Sequence, residues 1–342
     1  MEDQSLLDEV YVQLHDTGPE FEGWLSNHGP MAADALMHLG RDDAVLSWVH
    51  KYASRLEERP GSRFPIAPGE WRESLGDPSR LGDWLEFERQ SREVAWRDLL
   101  VEWWPRLLPG AIGSATHGLI RTGHAVRALL TVETEPRVDE LGQALAYWAA
   151  RWEPMPSWHP PSGALSASDA LKHSPPTATA GGIRTRIADL SETRTWAKSV
   201  AELRSVTSGA DVPHALDDIT DAAVDHYLRW GHGNPIMMVH MATAPRAASI
   251  VLPAIPQHMW VDTYYTAWAV CAALASIYPP TTPQFRAEVD VDVDTVVDQA
   301  VAGQDAHAIK FVEVAAEAHR RGMPTALAAA ARATSMLKPA VG

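Results

Sequence analysis

The chain carries a single cysteine, Cys271, among its 342 residues. One thiol allows no internal disulfide and no thiolate cluster, so a bound metal would have to be held by nitrogen and oxygen. Basic residues are scarce too: 29 Lys and Arg stand against 44 Asp and Glu, giving a net charge of −15 with no basic stripe. Nucleic-acid binding draws on clustered Lys and Arg, so this balance argues against a nucleic-acid partner. Long apolar runs are also missing. The longest nearly uncharged apolar stretch, Thr266 to Tyr278, is shorter than the roughly 20 residues a bilayer span needs, and no membrane partner is expected. The opening Met-Glu-Asp-Gln lacks a positive segment followed by an apolar run and gives no sign of a signal peptide. These features together lead us to expect a soluble, cytoplasmic protein.

Several chemical signatures are absent as well. A Gly-x-Gly-x-x-Gly run for flavin or nicotinamide does not occur, nor does the phosphate-cradling Gly-x-x-x-x-Gly-Lys-Ser/Thr loop. There is no Gly-x-Ser-x-Gly elbow for a serine nucleophile, and Cys271 lies in a helical pattern with no activating base nearby in sequence. Histidine chemistry is what remains. The chain has 15 histidines, and 14 tryptophans against 5 Phe and 7 Tyr. Tryptophan offers a broad flat face, which suits a flat aromatic ligand and ordinary helix packing equally well.

With 46% apolar residues the chain can bury a substantial core. Spacing predicts an all-α protein built as one integrated unit from two helical halves, 1–152 and 185–342, joined by a Pro/Gly/Ser-rich connection over 153–184. Predicted helices include Pro30 to Leu39, Trp96 to Leu107, Ala115 to Thr131 with Ser114 as cap, and Val138 to Trp152. The second half adds Glu192 to Val206, Val212 to Trp230, Ile236 to about Ala248, Gln257 to Tyr278, Asp294 to Ala302, Ala306 to Arg321 and Thr325 to Leu337. Alternation occurs only briefly, at Glu288 to Asp292, and Arg59 to Gly69 reads as a surface loop.

The most informative segment is Asp305-Ala-His-Ala-Ile-Lys-Phe311. Asp305 is a plausible N-cap, Arg320 and Arg321 suit the C-terminal end, and Gly322 with Pro324 stops the helix. Positions i, i+3, i+4, i+7 and i+11 share one face, here His307, Lys310, Phe311, Val314 and Ala318. A lysine on the core stripe is either a snorkelling stem that reaches water or a carboxylate, or a group with chemical work to do.

Four further histidines lie where a site could form. His28 immediately precedes a helix whose first turn holds Pro30. His117 and His124 share a helix face with Arg121, and His240 sits among apolar residues in Met237-Met-Val-His-Met-Ala-Thr243. Each taken singly also fits a satisfied core histidine. The other histidines, His15 among them, are assigned to surface, caps or loops.

The segments Trp24-Leu-Ser-Asn-His-Gly-Pro-Met-Ala32, Thr116-His-Gly-Leu-Ile-Arg-Thr-Gly123, Val239-His-Met-Ala-Thr243 and Asp305-Ala-His-Ala-Ile-Lys310 resemble, in that order, the characteristic segments of the questin oxidase-like family. The likeness runs from about residue 20 to about residue 320. The resemblance implies oxidative ring opening of an anthraquinone or related aromatic polyketide with dioxygen, in a reaction formally of the Baeyer–Villiger type, with NADPH as a possible reductant of the substrate. It further implies non-haem iron(II) held by His28, His117, His240, His307 and a carboxylated Lys310. This chain departs from the family pattern at Arg121, where fungal relatives tend to carry a second histidine. Arg121 is then a candidate to orient a phenolate, to pair with Asp305, or to bridge two helices, and His124 is a reserve ligand or acid–base group. Trp24, Trp260, Tyr264 and Trp268 are candidate pocket walls, although the last three fit a plain core helix equally. A flavin- or NADPH-dependent monooxygenase and a non-catalytic helical binder of a polycyclic metabolite remain as rival readings.

Overall fold

Helix-forming periodicity carries through into an all-α structure. The computed structural model describes residues 2–90, 94–177, 180–279, 282–284 and 291–337. Among these are 17 α-helices and one short antiparallel hairpin, Glu20–Phe21 (β1) with Leu25–Ser26 (β2). The chain divides into two compact units, residues 1–154 with 250–256, and residues 155–249 with 257–342.

The first unit holds α1 (Glu2–His15), α2 (Gly29–His38), α3 (Asp42–Ala53), α4 (Trp71–Ser74), α5 (Leu81–Gln90), α6 (Trp96–Leu107), α7 (His117–Thr131) and α8 (Glu135–Ala150). Helix α8 is central and packs against α1, α5, α6 and α7. Tryptophan supplies much of the filling: Trp104 meets Trp148 edge-on at 5.6 Å between ring centroids, and Trp103 meets Trp84 at 5.6 Å. Offset and edge-on contacts of this kind add to the area the rings bury. Gly118 sets how closely α7 approaches α8. A Cβ there would lie 2.5 Å from Cβ of Trp148, so any larger residue would force the helices apart.

The second unit holds α9 (Ala167–Lys172), α10 (Ile183–Glu192), α11 (Trp196–Ala201), α12 (Val212–Trp230), α13 (Pro235–Val251, whose last two residues belong to the first unit), α14 (Trp260–Ile277), α15 (Val293–Gly303), α16 (Ala306–Arg320) and α17 (Ala326–Met336). Helix α12 packs against α9, α14, α16 and α17, and α15 to α17 pack on one another. The ring of Tyr227 on α12 lies 4.2 Å from that of Phe311 on α16.

Three stretches differ from the sequence expectation. The segment expected as a helix from Glu192 to Val206 is instead α10 and α11, broken at Thr193, which is extended (ψ 97°). Its hydroxyl donates to the Asp189 carbonyl at 3.1 Å, the local competition that makes threonine a poor helix interior residue. The connection 153–184 contains α9, capped by Ser166, whose hydroxyl accepts from the Asp169 amide at 3.1 Å. Gly163 and Leu165 also bridge to Arg204 and Leu203. Of the alternating stretch Glu288 to Asp292, residues 288–290 lie outside the described residues, and Asp292 caps α15 by accepting from the Thr295 amide at 2.8 Å.

One helix, running with its 3-10 extension over Pro235–Ala254, is long and apolar enough to cross a membrane, and it was not the stretch singled out from the sequence. Of that window 72% is buried inside the fold, so its apolar side chains serve packing.

Candidate metal centre

In the first unit, His28 is placed by the entry to α2. It stands at the N-cap with Pro30 in the first turn, and its backbone N–H donates to the Tyr52 hydroxyl at 2.7 Å. Asn27 pins the same corner: its Oδ1 accepts from the Gly29 amide at 2.9 Å and its Nδ2 donates to the Gly18 carbonyl at 3.1 Å. Tyr52 is held in turn by stacking on Trp48 at 4.9 Å. The His28 backbone is therefore over-determined, and its ring is buried.

His117 opens α7 from an unusual turn. Ser114, Ala115 and Thr116 have φ of 47°, 54° and 69°, three consecutive non-glycine residues in the left-handed region. Each costs about 1–2 kcal/mol relative to right-handed backbone, so the surroundings must hold the turn in place. The sequence expectation of a helix from Ala115 with Ser114 as its cap does not hold here. In an α-helix the Ser114 carbonyl would bond the amide of Gly118; here it accepts the amide of His117, in a 3-10 turn, and also Nδ1 of the same residue at 2.6 Å. A carbonyl can only accept, so Nδ1 carries the proton and Nε2 of His117 is left with its lone pair. Nε2 of His117 lies 2.9 Å from Nε2 of His28, with the rings at 87° and centroids 4.7 Å apart.

In the second unit, His240 is buried on α13 among Val239, Met241 and Ala242. His307 lies in the first turn of α16, where the Asp305 carboxylate accepts from the amides of His307 and Ala308 at 2.8 and 3.1 Å. The same carboxylate oxygen stands 3.5 Å from Nδ1 of His307, which leaves Nε2 as the outward nitrogen. The His240 and His307 ring centroids are 5.3 Å apart. Burial pushes the His307 pKa down, opposed by Asp305 and assisted by Lys310. One turn on, Lys310 is 0% exposed, and burial lowers its ammonium from 10.5 to about 7 against the pull of Asp305. A snorkelling stem would end in water, and this one does not.

Each unit thus brings two imidazoles together, His28 with His117 in the first and His240 with His307 in the second, nitrogen donors of the kind that could hold a metal ion. No family model and no curated protein matches this chain.

Arg121 is 1% exposed and bidentate to Glu140, with Nε donating to Oε1 at 2.6 Å and Nη2 to Oε2 at 2.7 Å. Among its three expected roles, the structure gives it the bridge between two helices, α7 and α8. His15, expected on the surface, joins that pair: its Nε2 is 3.0 Å from Oε2 of Glu140, and its ring stacks on Tyr11. His124 is likewise engaged, with Nδ1 2.7 Å from Oδ2 of Asp34, an oxygen that also accepts from Arg127 at 2.6 Å. Burial alone would raise the Asp34 carboxyl, but Arg127 and His124 more than offset it and bring it down to about 2. Trp24 is 68% exposed at the β1–β2 turn. Trp260 is half-buried at the start of α14. Trp268 is fully buried and donates from Nε1 to the Val200 carbonyl at 2.9 Å, a core role. Tyr264 donates to the Arg204 carbonyl at 3.1 Å and lines a cleft of about 320 Å³ with Leu165, Arg204, His214 and Asp218.

Sequence reasoning missed Asp34, Glu140, Tyr147 and the left-handed turn. The ion-pair partners lie about 20 to 125 positions apart, which no local pattern could link.

Proposed function

We propose that this protein is a non-haem iron-dependent oxygenase that opens a ring of an anthraquinone or related aromatic polyketide, with His28, His117, His240, His307 and Lys310 as the residues that hold the metal. The observation that supports the reading is a facing pair of imidazoles in each unit, His28 with His117 and His240 with His307, the second pair joined by a lysine with no exposed surface. The order of the four histidine segments, which resembles the questin oxidase-like pattern, supplies the substrate class.

Imidazole nitrogens with an oxygen donor and no thiolate suit iron(II), and the 2.9 Å between the Nε2 atoms of His28 and His117 brings two such donors to one place. The low pKa of Lys310 suits carboxylation: the neutral amine attacks the carbon of carbon dioxide, an N–C bond forms, one C=O π bond becomes C–O⁻, and a proton leaves the nitrogen. The product would be an anionic oxygen donor three residues from His307.

When bound, the iron would supply activation of dioxygen beside an electron-rich phenolic or reduced quinone ring. The chain's own residues orient the ligands. Ser114 and Asp305 accept from the Nδ1 sides of His117 and His307, so that both Nε2 atoms point away from their own backbones. Burial on α13 excludes water from the ring of His240, while the His307 ring keeps partial exposure.

The test is reconstitution of metal-free protein with iron(II) under anaerobic conditions, followed by oxygen-uptake and product analysis with a reduced anthraquinone; NADPH enters only to keep the substrate reduced. Ring opening that requires iron and disappears on chelation is expected. Full activity of metal-free protein given flavin and NADPH would overturn the reading in favour of a flavin monooxygenase, and binding of the polycycle without iron uptake or turnover would leave a binding protein.

A further inference from the structure

The left-handed turn before α7 is unexplained by its own sequence. Ser, Ala and Thr have no preference for positive φ, and Ala115 has no polar side chain to offset it. Backbone bonds from the Thr116 amide to the Ile112 carbonyl at 3.4 Å and from the His117 amide to the Ser114 carbonyl close it, and two side chains brace it. The Ser114 hydroxyl is 2.6 Å from the hydroxyl of Tyr147, a fully buried residue of α8, and the Ser114 carbonyl takes the Nδ1 proton of His117. Behind it, Gly113 is pressed so close to the Arg151 carbonyl that a Cβ would come within 2.1 Å, and Ala111 bridges to Glu153. The turn is thus wedged against the C-terminal end of α8 and tied to its side chain.

We infer that the Ser114–Thr116 turn, braced by Tyr147, is a tautomer lock: it aims the Ser114 carbonyl, which also accepts the His117 amide, at the ring so that the carbonyl holds His117 in its Nδ1–H form, presenting the Nε2 lone pair for a metal. Ser114 and Tyr147 are positioning residues in this scheme, acting on His117 and never on the substrate. The alternative tautomer would put a proton on the nitrogen that faces His28, where it blocks coordination. A right-handed start to α7 would turn the carbonyl along the helix axis toward the Gly118 amide and away from the ring. The metal part of this inference rests on the function proposed above; the tautomer itself does not.

The experiment uses full-length protein with ¹⁵N-labelled histidine. Long-range proton–nitrogen correlation spectra of the metal-free form report the His117 tautomer, and cobalt(II) titration reports metal affinity. Wild type is expected to show His117 as the Nδ1–H tautomer. Tyr147→Phe is expected to populate the Nε2–H form and to weaken cobalt binding about 10-fold or more, the usual scale for losing an outer hydrogen-bond partner of a metal-bound histidine. Ala115→Gly added to Tyr147→Phe should restore both readouts, because glycine adopts the turn without strain while the hydroxyl is still missing. If Tyr147→Phe does not fold, Ser114→Ala removes the same contact from the other side and is read the same way. A wild-type His117 protonated at Nε2, or variants that leave tautomer and cobalt affinity unchanged, would overturn the lock. An Nδ1–H wild type that binds no cobalt would instead count against the proposed metal function while leaving the lock standing.

Discussion

Replacing Lys310 with methionine should stabilise the metal-free protein while removing its metal. Lys310 has no exposed surface, and burial lowers its pKa from 10.5 in the open chain to about 7 in the fold. The folded state therefore binds its proton less readily than the unfolded state. Folding stability is undiminished above pH 10.5, falls as pH drops from 10.5 to 7, and reaches a constant deficit below 7. At about 1.4 kcal/mol for each tenfold change in proton affinity, that deficit is on the order of 5 kcal/mol below pH 7. Methionine has a similar length and no charge, and it adapts to irregular gaps, so Lys310→Met should recover most of this with little repacking loss. Urea denaturation of chelator-treated protein in carbon dioxide-free buffer would measure it. The variant should be more stable by several kcal/mol at pH 6.5, and the difference should shrink toward zero at pH 10.5. In parallel, the variant should bind iron(II) far more weakly. A variant no more stable than wild type at pH 6.5, or an advantage independent of pH, would refute the reasoning from burial.

Other substitutions separate structural from chemical roles. Arg121→Ala would leave the Glu140 carboxylate buried with His15 as its remaining partner, and a loss of about 3–5 kcal/mol in urea denaturation is expected, with iron content unchanged; unchanged stability with a raised KM would show instead that Arg121 holds substrate. Asp34→Asn removes a carboxylate whose pKa is depressed from 3.8 to about 2. The stabilisation of the charged form is full above pH 3.8 and lost as pH falls toward 2, so the variant should be about 2 kcal/mol less stable at pH 7 and the gap should narrow below pH 4; a gap that persists at pH 2.5 would contradict this.

Helix α16 was the most legible element because its signals are local: Asp305 caps it and Gly322 ends it, and the expected face of Lys310, Phe311, Val314 and Ala318 is buried, along with every residue from Ala308 to Ala316. Helices α2, α6 and α12 were legible for the same reason. The α10–α11 break was not, because a threonine hydroxyl competing with the backbone is a weak signal against a long apolar periodicity. The cap of α9 was present in the sequence as Ser166 followed three residues on by Asp169, yet the surrounding proline and serine masked it. The turn at Ser114 to Thr116 contradicts its own residue preferences and is held by Tyr147 from more than 30 positions away, so only the assembled fold reveals it. The direction of Trp24 was not legible for a related reason: aromatic character says nothing of it, and the hairpin turn at Glu22 and Gly23, both at positive φ, carries the ring outward.

The most direct measurement is an anomalous difference map at the iron absorption edge from crystals of protein reconstituted anaerobically with iron(II). The account predicts one strong peak within coordination distance of ring nitrogens from His28, His117, His240 and His307, with density for a carboxyl group on Nζ of Lys310. Absence of a peak at these histidines, or a peak bound by other residues while the four rings stay clear of it, would contradict it.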